Sequence, residues 1–514
     1  RETAQLAGAI GREFDYALLA AVALADEATL QADLDELVAA GLIYRQRRVR
    51  DDSYVFRHAL IRDAAYDAMP RRAQKQTHAR IAHWLEQRPP AQLQSRLAQL
   101  AHHFALAEQY GGAVRYGTDA ALLLLERALH DDAIVLAETV LVWIGELATP
   151  ERRPAEIGIS RILTHALMSK YGWADARVKE AAERALRLIE GIDDARRTVP
   201  TLWAMAFYHH VASNRESVRT LTAQLLLLSA ASEEGGLGVA CHTMHGIACW
   251  IDGGYRQAAA AFEHVLDRYD AAEHANHGYV FGLDSRVWAM AGLANVRWFA
   301  DTDDGAAFAL AREAVARARA LNHIPSLGVA LMYLAFLHHY AEDRAGARAV
   351  CEQLLGLSHQ YGLPAVEGYA AMVHSWSTCD LDAADRVLEG LRGMGCMLGL
   401  TYLASLPAET EARAGNHGAA LARIEACLLL CDDIDEPYYK PELLRRRAQY
   451  RAAAAAPDGE LIRADLDCAI TLAERAGMRR SALGARVALA AFDAMSNASA
   501  VVSPKQASPE VSST

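Results

Sequence analysis

The sequence predicts an all-α fold, a superhelical solenoid of paired helices, and three observations carry that reading. Apolar residues recur at i, i+3, i+4 and i+7 through most of the 514 residues. Alanine and leucine are abundant while aromatic residues make up only 7%, a balance that favours helix over strand. The third observation is a frame of small residues that recurs along the chain.

The frame is clearest at Gly246, Gly253, Ala258 and Phe262, at offsets 0, 7, 12 and 16. In a tetratricopeptide repeat these offsets hold the small residue of the first helix, the turn glycine, the small residue of the second helix and its large partner. Two helices approach closely only where a Gly or Ala faces the neighbour, and a tight turn wants glycine. The frame recurs at Ala294, Asp301, Ala306 and Leu310, and at Ala335, Glu342, Ala347 and Cys351. Ala408, Gly415, Ala420 and Ile424 restore the turn glycine. Ala121, Ala133 and Ala137 suggest an earlier pair, and Ala206, Val218 and Thr222 a weaker one. Anchors lie from about 36 to 48 residues apart, longer than the usual repeat of about 34.

Two regions depart from the repeat. Residues 1–70 are expected to form a small winged-helix domain. A helix begins near Asp15, a second runs from Ala28 to a glycine stop at Gly41, and Ile43–Arg47 and Tyr54–His58 alternate as a β-hairpin. The repeat solenoid is then expected over 71–490, and a Ser/Ala/Pro-rich disordered tail over 491–514.

Composition bounds the function. Hydrophobic residues at 52% and charged residues at 23% are those of an ordinary folded protein. A net charge of -12, spread along the chain, argues against a nucleic-acid partner, and no apolar run is long enough to span a membrane. The eight cysteines lack a CxxC pair and read as buried small hydrophobes in a reducing cytoplasm. No GxxxxGK[ST] loop and no kinase glycine loop occurs. With no initiator methionine, the chain is expected to be a fragment whose upstream part is missing.

The segment Tyr54-Val55-Phe56-Arg57-His58-Ala59-Leu60-Ile61-Arg62-Asp63-Ala64-Ala65-Tyr66 resembles the end of the winged helix in STAND-type signalling ATPases. The match is to bacterial proteins that join a cyclase or kinase domain, an AAA-type ATPase and a tetratricopeptide tail. Ala4-Gln5-Leu6-Ala7-Gly8-Ala9-Ile10-Gly11-Arg12-Glu13-Phe14 is similar to the stretch that opens this region in the same proteins. The resemblance implies a non-catalytic regulatory arm that couples partner binding to an upstream nucleotide switch. It implies no cofactor in this chain, with ATP or ADP held by the missing domain. His58 would then be a sensor of the nucleotide phosphate, although the chain lacks the Met before and the Asp after the histidine of the Met-His-Asp form. The implied partner is a protein or the chain's own upstream ATPase domain. The alternatives are a piece of a large ATPase-type transcriptional activator and a stand-alone scaffold.

Trp250, Tyr255, Trp288, Trp298, Tyr333 and Trp376 are the large aromatics of the central repeats, core residues by default and candidate protein-binding anchors where exposed. Arg45 to Arg88 is locally basic, but the helix before it carries Asp33, Asp35 and Glu36 where a DNA-reading helix wants Arg, Asn or Gln. His242 with His245, and His274 with His277, have i,i+3 spacing, yet no third metal ligand is evident, so no metal is expected. The acidic pairs Glu233-Glu234, Asp303-Asp304 and Asp432-Asp433 fit turns or helix starts. No catalytic site is expected.

Overall fold

The computed structural model describes residues 1–47, 52–192, 194–231, 235–454 and 457–502, and the chain divides into two compact units, residues 1–166 and 167–514.

In the first unit helix α1 (Glu2–Ile10) leads into strand β1 (Glu13–Asp15), then helices α2 (Tyr16–Val22) and α3 (Glu27–Ala39). Asp26 caps α3 by accepting the Thr29 N–H at 3.0 Å, and Gly41 ends it at φ +70. Strands β2 (Ile43–Arg47) and β3 (Asp52–Phe56) are the expected hairpin, although its turn lies outside the described residues. The sheet is antiparallel in the order β1-β3-β2, with Phe14 opposite Tyr54. The sequence reading missed β1, three residues being too few to show a period.

Helices α4 (Ala59–Asp67), α5 (Arg71–Glu86), α6 (Pro90–Gln94), α7 (Leu97–Leu106), α8 (Tyr110–Glu126) and α9 (His130–Ile144) follow. The boundary expected near residue 70 therefore falls inside this unit. Ile81, Leu85, Leu100 and Phe104 share one core with Leu6, Leu18 and Leu34. That core holds two histidines, His78 with its Nδ1 3.0 Å from the Nδ1 of His103, and its Nε2 2.8 Å from the Tyr66 hydroxyl. Burial holds His78 at about 4 and His103 at about 3, with His102 further lowering His78, and His78 and His102 further lowering His103. Folded values below the unfolded one of about 6.5 mean that the unfolded chain binds more protons, so stability is lost as pH falls below that value. We expect urea unfolding of this unit to lose on the order of 3 kcal/mol between pH 7 and pH 5, and His103→Phe to flatten that slope. A pH-independent midpoint in the unsubstituted protein would contradict the assignment.

Helix α10 (Thr149–Tyr171) and helix α11 (Ala176–Ile189) precede the regular pairs of the second unit. The pairs are α12 (Ala195–Val211) with α13 (Arg215–Ala231), and α14 (Gly235–Ile251) with α15 (Tyr255–Arg268). After the short α16 (His277–Phe281) come α17 (Ser285–Ala300) with α18 (Asp304–Ala320), α19 (Ile324–Tyr340) with α20 (Arg344–Tyr361), and α21 (Pro364–Thr378) with α22 (Leu381–Gly393). The next first helix is broken into α23 (Leu400–Leu403) and α24 (Leu406–Arg413), and pairs with α25 (His417–Asp433). A 3-10 turn (Pro437–Tyr439), α26 (Lys440–Ala452) with α27 (Gly459–Ala476), and α28 (Arg479–Val502) complete it. The disordered tail expected from residue 491 is corrected in part, since α28 continues to Val502, and residues 503–514 lie outside the described residues.

The sequence frame is the packing frame. A Cβ on Gly246 would come within 2.6 Å of the Phe262 ring, and one on Gly292 within 2.7 Å, so Phe262 is wedged between two glycine faces. Position 7 of the frame is left-handed, with φ +79 at Gly253, +83 at Gly415 and +55 at Glu342. The next amide closes each turn on the carbonyl five residues back, as Gly254 does on Cys249 at 2.8 Å. The frame also holds at Ala101, Glu108, Ala113 and Gly117, and at Met372, Cys379, Ala384 and Leu388, two sets the sequence reading did not find. In one pair the frame is corrected by one residue. Ala307 and Ala311 are buried in place of the expected Ala306 and Leu310. The cause is the turn, where Asp301 is extended at φ -118 and Asp303 caps α18 one residue late.

Burial separates the two helices of a pair. In α17, 13 of 16 residues are buried, and in α19, 12 of 17, so these two first helices bury nearly their whole circumference. The array then closes on itself. Met397 and Leu398 donate backbone N–H bonds to the Val211 carbonyl at 2.9 and 3.0 Å. The Tyr255 hydroxyl donates to the Tyr438 carbonyl at 3.0 Å, and Arg219 reaches Asp435 at 2.8 Å. On the other side Arg480 donates to the Trp298 carbonyl at 2.7 Å and lies over its ring at 4.2 Å.

Candidate binding site: a closed aromatic interior

The contacts just described bring side chains of early and late helix pairs together inside the second unit. Trp250, Tyr255, Trp288, Trp298, Tyr333 and Trp376 are all buried, so none stands exposed as a surface anchor. Three of them, Trp250, Trp288 and Tyr333, line a cavity of about 40 Å³ in the second unit. Six of its lining rings form a closed circuit. Trp173 meets Phe207 at 5.6 Å between centroids, and Phe207 meets Trp288 edge-on at 5.4 Å. The Trp288 indole N–H points at the Tyr333 hydroxyl at 3.4 Å. Tyr333 meets Phe336 at 5.8 Å, Phe336 meets Tyr369 at 6.3 Å, and Tyr369 returns to Trp173 at 6.3 Å. The edge-to-face pairs among these add stability beyond area burial. Trp173, Tyr340 and Leu398 of the lining are partly exposed.

One end of the cavity is closed by Gly399, whose N–H donates to the buried Glu436 carboxylate at 2.7 Å. The Thr401 hydroxyl donates to the other carboxylate oxygen at 2.7 Å. No ion pair to Glu436 occurs among the described residues, and burial lifts its carboxyl to about 7 against the pull of the Thr401 and Gly399 hydrogen bonds and the more distant Arg215 charge. The sequence reading passed over Glu436. The only signal available was an acidic residue ahead of Pro437-Tyr438-Tyr439.

A second buried carboxylate is fully compensated. Glu409 accepts from His339 Nε2 at 3.1 Å, from the Trp376 indole at 2.9 Å and from Arg446 at 2.9 Å. This node accounts for Trp376, and cation packing under Arg480 accounts for Trp298.

The remaining candidates resolve individually. His58 is exposed at the start of α4 and makes no capping bond, and α4 buries none of its residues. His242 lies tilted against His264 with centroids 4.1 Å apart, yet among the described residues no three His, Cys, Asp or Glu side chains converge as a metal site. Two buried Ser–His contacts, His277 with Ser285 at 2.9 Å and His323 with Ser326 at 2.8 Å, lie at helix starts, and neither serine reaches solvent. Asp303 caps a helix as expected, whereas Asp432 sits in the last turn of α25 and binds Lys440 at 2.5 Å. Glu233 and Glu234, and Arg48 and Arg50 of the basic stretch, lie outside the described residues. Five cysteines are buried, but Cys379 and Cys468 are exposed, which corrects the uniform expectation. Among the described residues no helix is long and apolar enough to cross a membrane.

No protein-family model matches the chain. An uncharacterized protein of Rhizobium meliloti (strain 1021) is 23% identical over 93% of the chain, and the chain spans about half, 47%, of that relative's length. Among solved structures, a Rap protein complexed with competence and sporulation factor covers 71% of the chain, with 94% of its own length matched, at 11% identity and TM-score 0.49. A STAND protein of Pyrococcus horikoshii with a tetratricopeptide repeat sensor covers 92% of the chain, with 63% of its own length matched, at 10% identity and TM-score 0.37.

Proposed function

We propose that this chain is a regulatory, protein-binding arm of a larger signalling ATPase, in which the first unit meets the nucleotide-holding domain and the second unit carries the input. In this reading the element order of the first unit is that of a winged helix, and the output domain is a cyclase or kinase. The observation that carries the proposal is helix α4. It rests its inner edge, Ile61 and Tyr66, on the core, yet buries no residue and leaves Leu60 80% exposed next to the exposed His58. A helix laid on a domain with its outer apolar residue in water is suited to packing on another body. An exposed imidazole beside it can donate to a phosphate oxygen there.

The test is His58→Ala in the full-length protein. Because the His58 side chain is exposed and makes no hydrogen bond among the described residues, the substitution leaves the fold intact and acts only through the contact. We expect purified protein to retain less bound ADP and its basal output to rise several-fold. Unchanged nucleotide retention together with unchanged output would remove His58 from the switch.

A further inference from the structure

The seam where Val211 meets residues 397–401, and where those residues meet 435–439, carries an inference separate from the coupling proposed above. At its centre is Glu436, 0% exposed. Its carboxylate accepts from the Gly399 N–H at 2.7 Å, the Thr401 hydroxyl at 2.7 Å and the Thr401 N–H at 3.4 Å. The segment that supplies those donors also crosses the seam, since its Met397 and Leu398 N–H groups converge on the one Val211 carbonyl. On the other side Asp435, next to Glu436, binds Arg219, and its backbone is left-handed at φ +50 without being glycine. A carboxyl with no ion-pair partner among the described residues is therefore buried where early and late helix pairs join.

The groups around it leave Glu436 as the one that changes charge near neutral pH. Arg215 of α13 acts on it only from a distance, its guanidinium being engaged by Asp252 at 2.7 Å and the Ala248 carbonyl at 3.0 Å. His210 of α12, 3.2 Å from Arg215, is kept neutral by burial. Tyr369 of α21 and Tyr438 of the 3-10 turn feel the Glu436 charge, and burial raises both well above the usual tyrosine range. Cys431 of α25 donates to the Glu436 backbone carbonyl at 2.9 Å, and burial pushes its thiol up to about 12. Burial lifts the Glu436 carboxyl itself from about 4.5 to about 7. A folded value above the unfolded one means that protonation supports the closed seam, and that this support is lost as pH rises from about 4.5 through about 7. We propose that Glu436 is a proton-operated latch of the second unit: its neutral form holds the seam closed, and ionisation shifts the seam towards an open form in which 435–439 parts from 397–401.

The experiment follows amide hydrogen exchange of the whole chain at residue resolution from about pH 5 to about pH 8.5, corrected for the intrinsic pH dependence of exchange. We expect protection of the Met397 and Leu398 amides to fall about tenfold per pH unit up to about pH 7 and then to level off. Amides in the middle of α17 should stay protected throughout, and their parallel loss would mark global unfolding and overturn the latch. Glu436→Gln keeps a carbonyl acceptor for the Gly399 donor without the charge, so protection should be high at every pH and the slope should vanish. Thr401→Val removes a donor that favours the ionised carboxyl, so the level-off should move to higher pH. Should the glutamine variant fail to fold, that shift still decides. A flat profile in the unsubstituted protein, a slope unaltered by Glu436→Gln, or a level-off unmoved by Thr401→Val would each overturn the assignment.

Discussion

Arg446→Met should cost the second unit about 3–5 kcal/mol of unfolding free energy. Glu409 is 7% exposed and takes its charge compensation from Arg446 at 2.9 Å, with His339 and the Trp376 indole filling its other lone pairs. Burial alone would raise the Glu409 carboxyl, but Arg446 and His339 outweigh it and hold it at about 2. A folded value below the unfolded one is stability present above the unfolded value of about 4.5 and lost as pH falls towards 2. Without Arg446 the carboxylate is left in the interior with weaker partners, and it must take up a proton or draw water inside. Adding Glu409→Leu to Arg446→Met should recover part of the loss, because the unpaired charge goes with it. Urea unfolding with an unchanged m-value gives both numbers. A single-variant loss below about 1 kcal/mol would show that the node is not what fixes α19, α21, α24 and α26 together.

Phe262→Ala is expected to cost about 3–5 kcal/mol in the same assay, since a fully buried ring disappears from between two helices with no Cβ to collapse inward. The reciprocal change, Gly246→Ala, places a methyl 2.6 Å from that ring and should cost about 1–3 kcal/mol by overpacking. The combination Phe262→Leu with Gly246→Ala should then cost less than the two single changes summed, because the methyl moves into space the ring vacates. Strict additivity would contradict the wedge.

These two sites differ in how readable they were. The Gly246–Phe262 contact follows from offsets alone, because a close helix crossing admits only small residues opposite a large one. The left-handed turn positions follow from the same offset, although Glu108, Ala128, Ser213 and Cys379 occupy them without glycine. Residue type hid those turns, and Met372 hid a whole pair, since a methionine at the small-residue position breaks the pattern while its flexible chain still packs. The Arg446–Glu409 node, the Glu436 site and the closure of the array were not legible. Each joins residues from separate repeats, as Arg219 joins Asp435 across 216 positions, and a period of helix pairs does not say how many pairs complete a turn. The aromatics were visible as residues, but whether they face water or one another depended on that closure.

The central claim is that the first unit meets a nucleotide-holding domain through His58 and helix α4. It is tested most directly by the ADP that co-purifies with the full-length protein, unsubstituted and carrying His58→Ala or Leu60→Asp. Both positions are exposed in this chain, so neither change perturbs its core. The account predicts that each variant retains markedly less nucleotide and shows raised basal output. Full retention and unaltered output in both would contradict it.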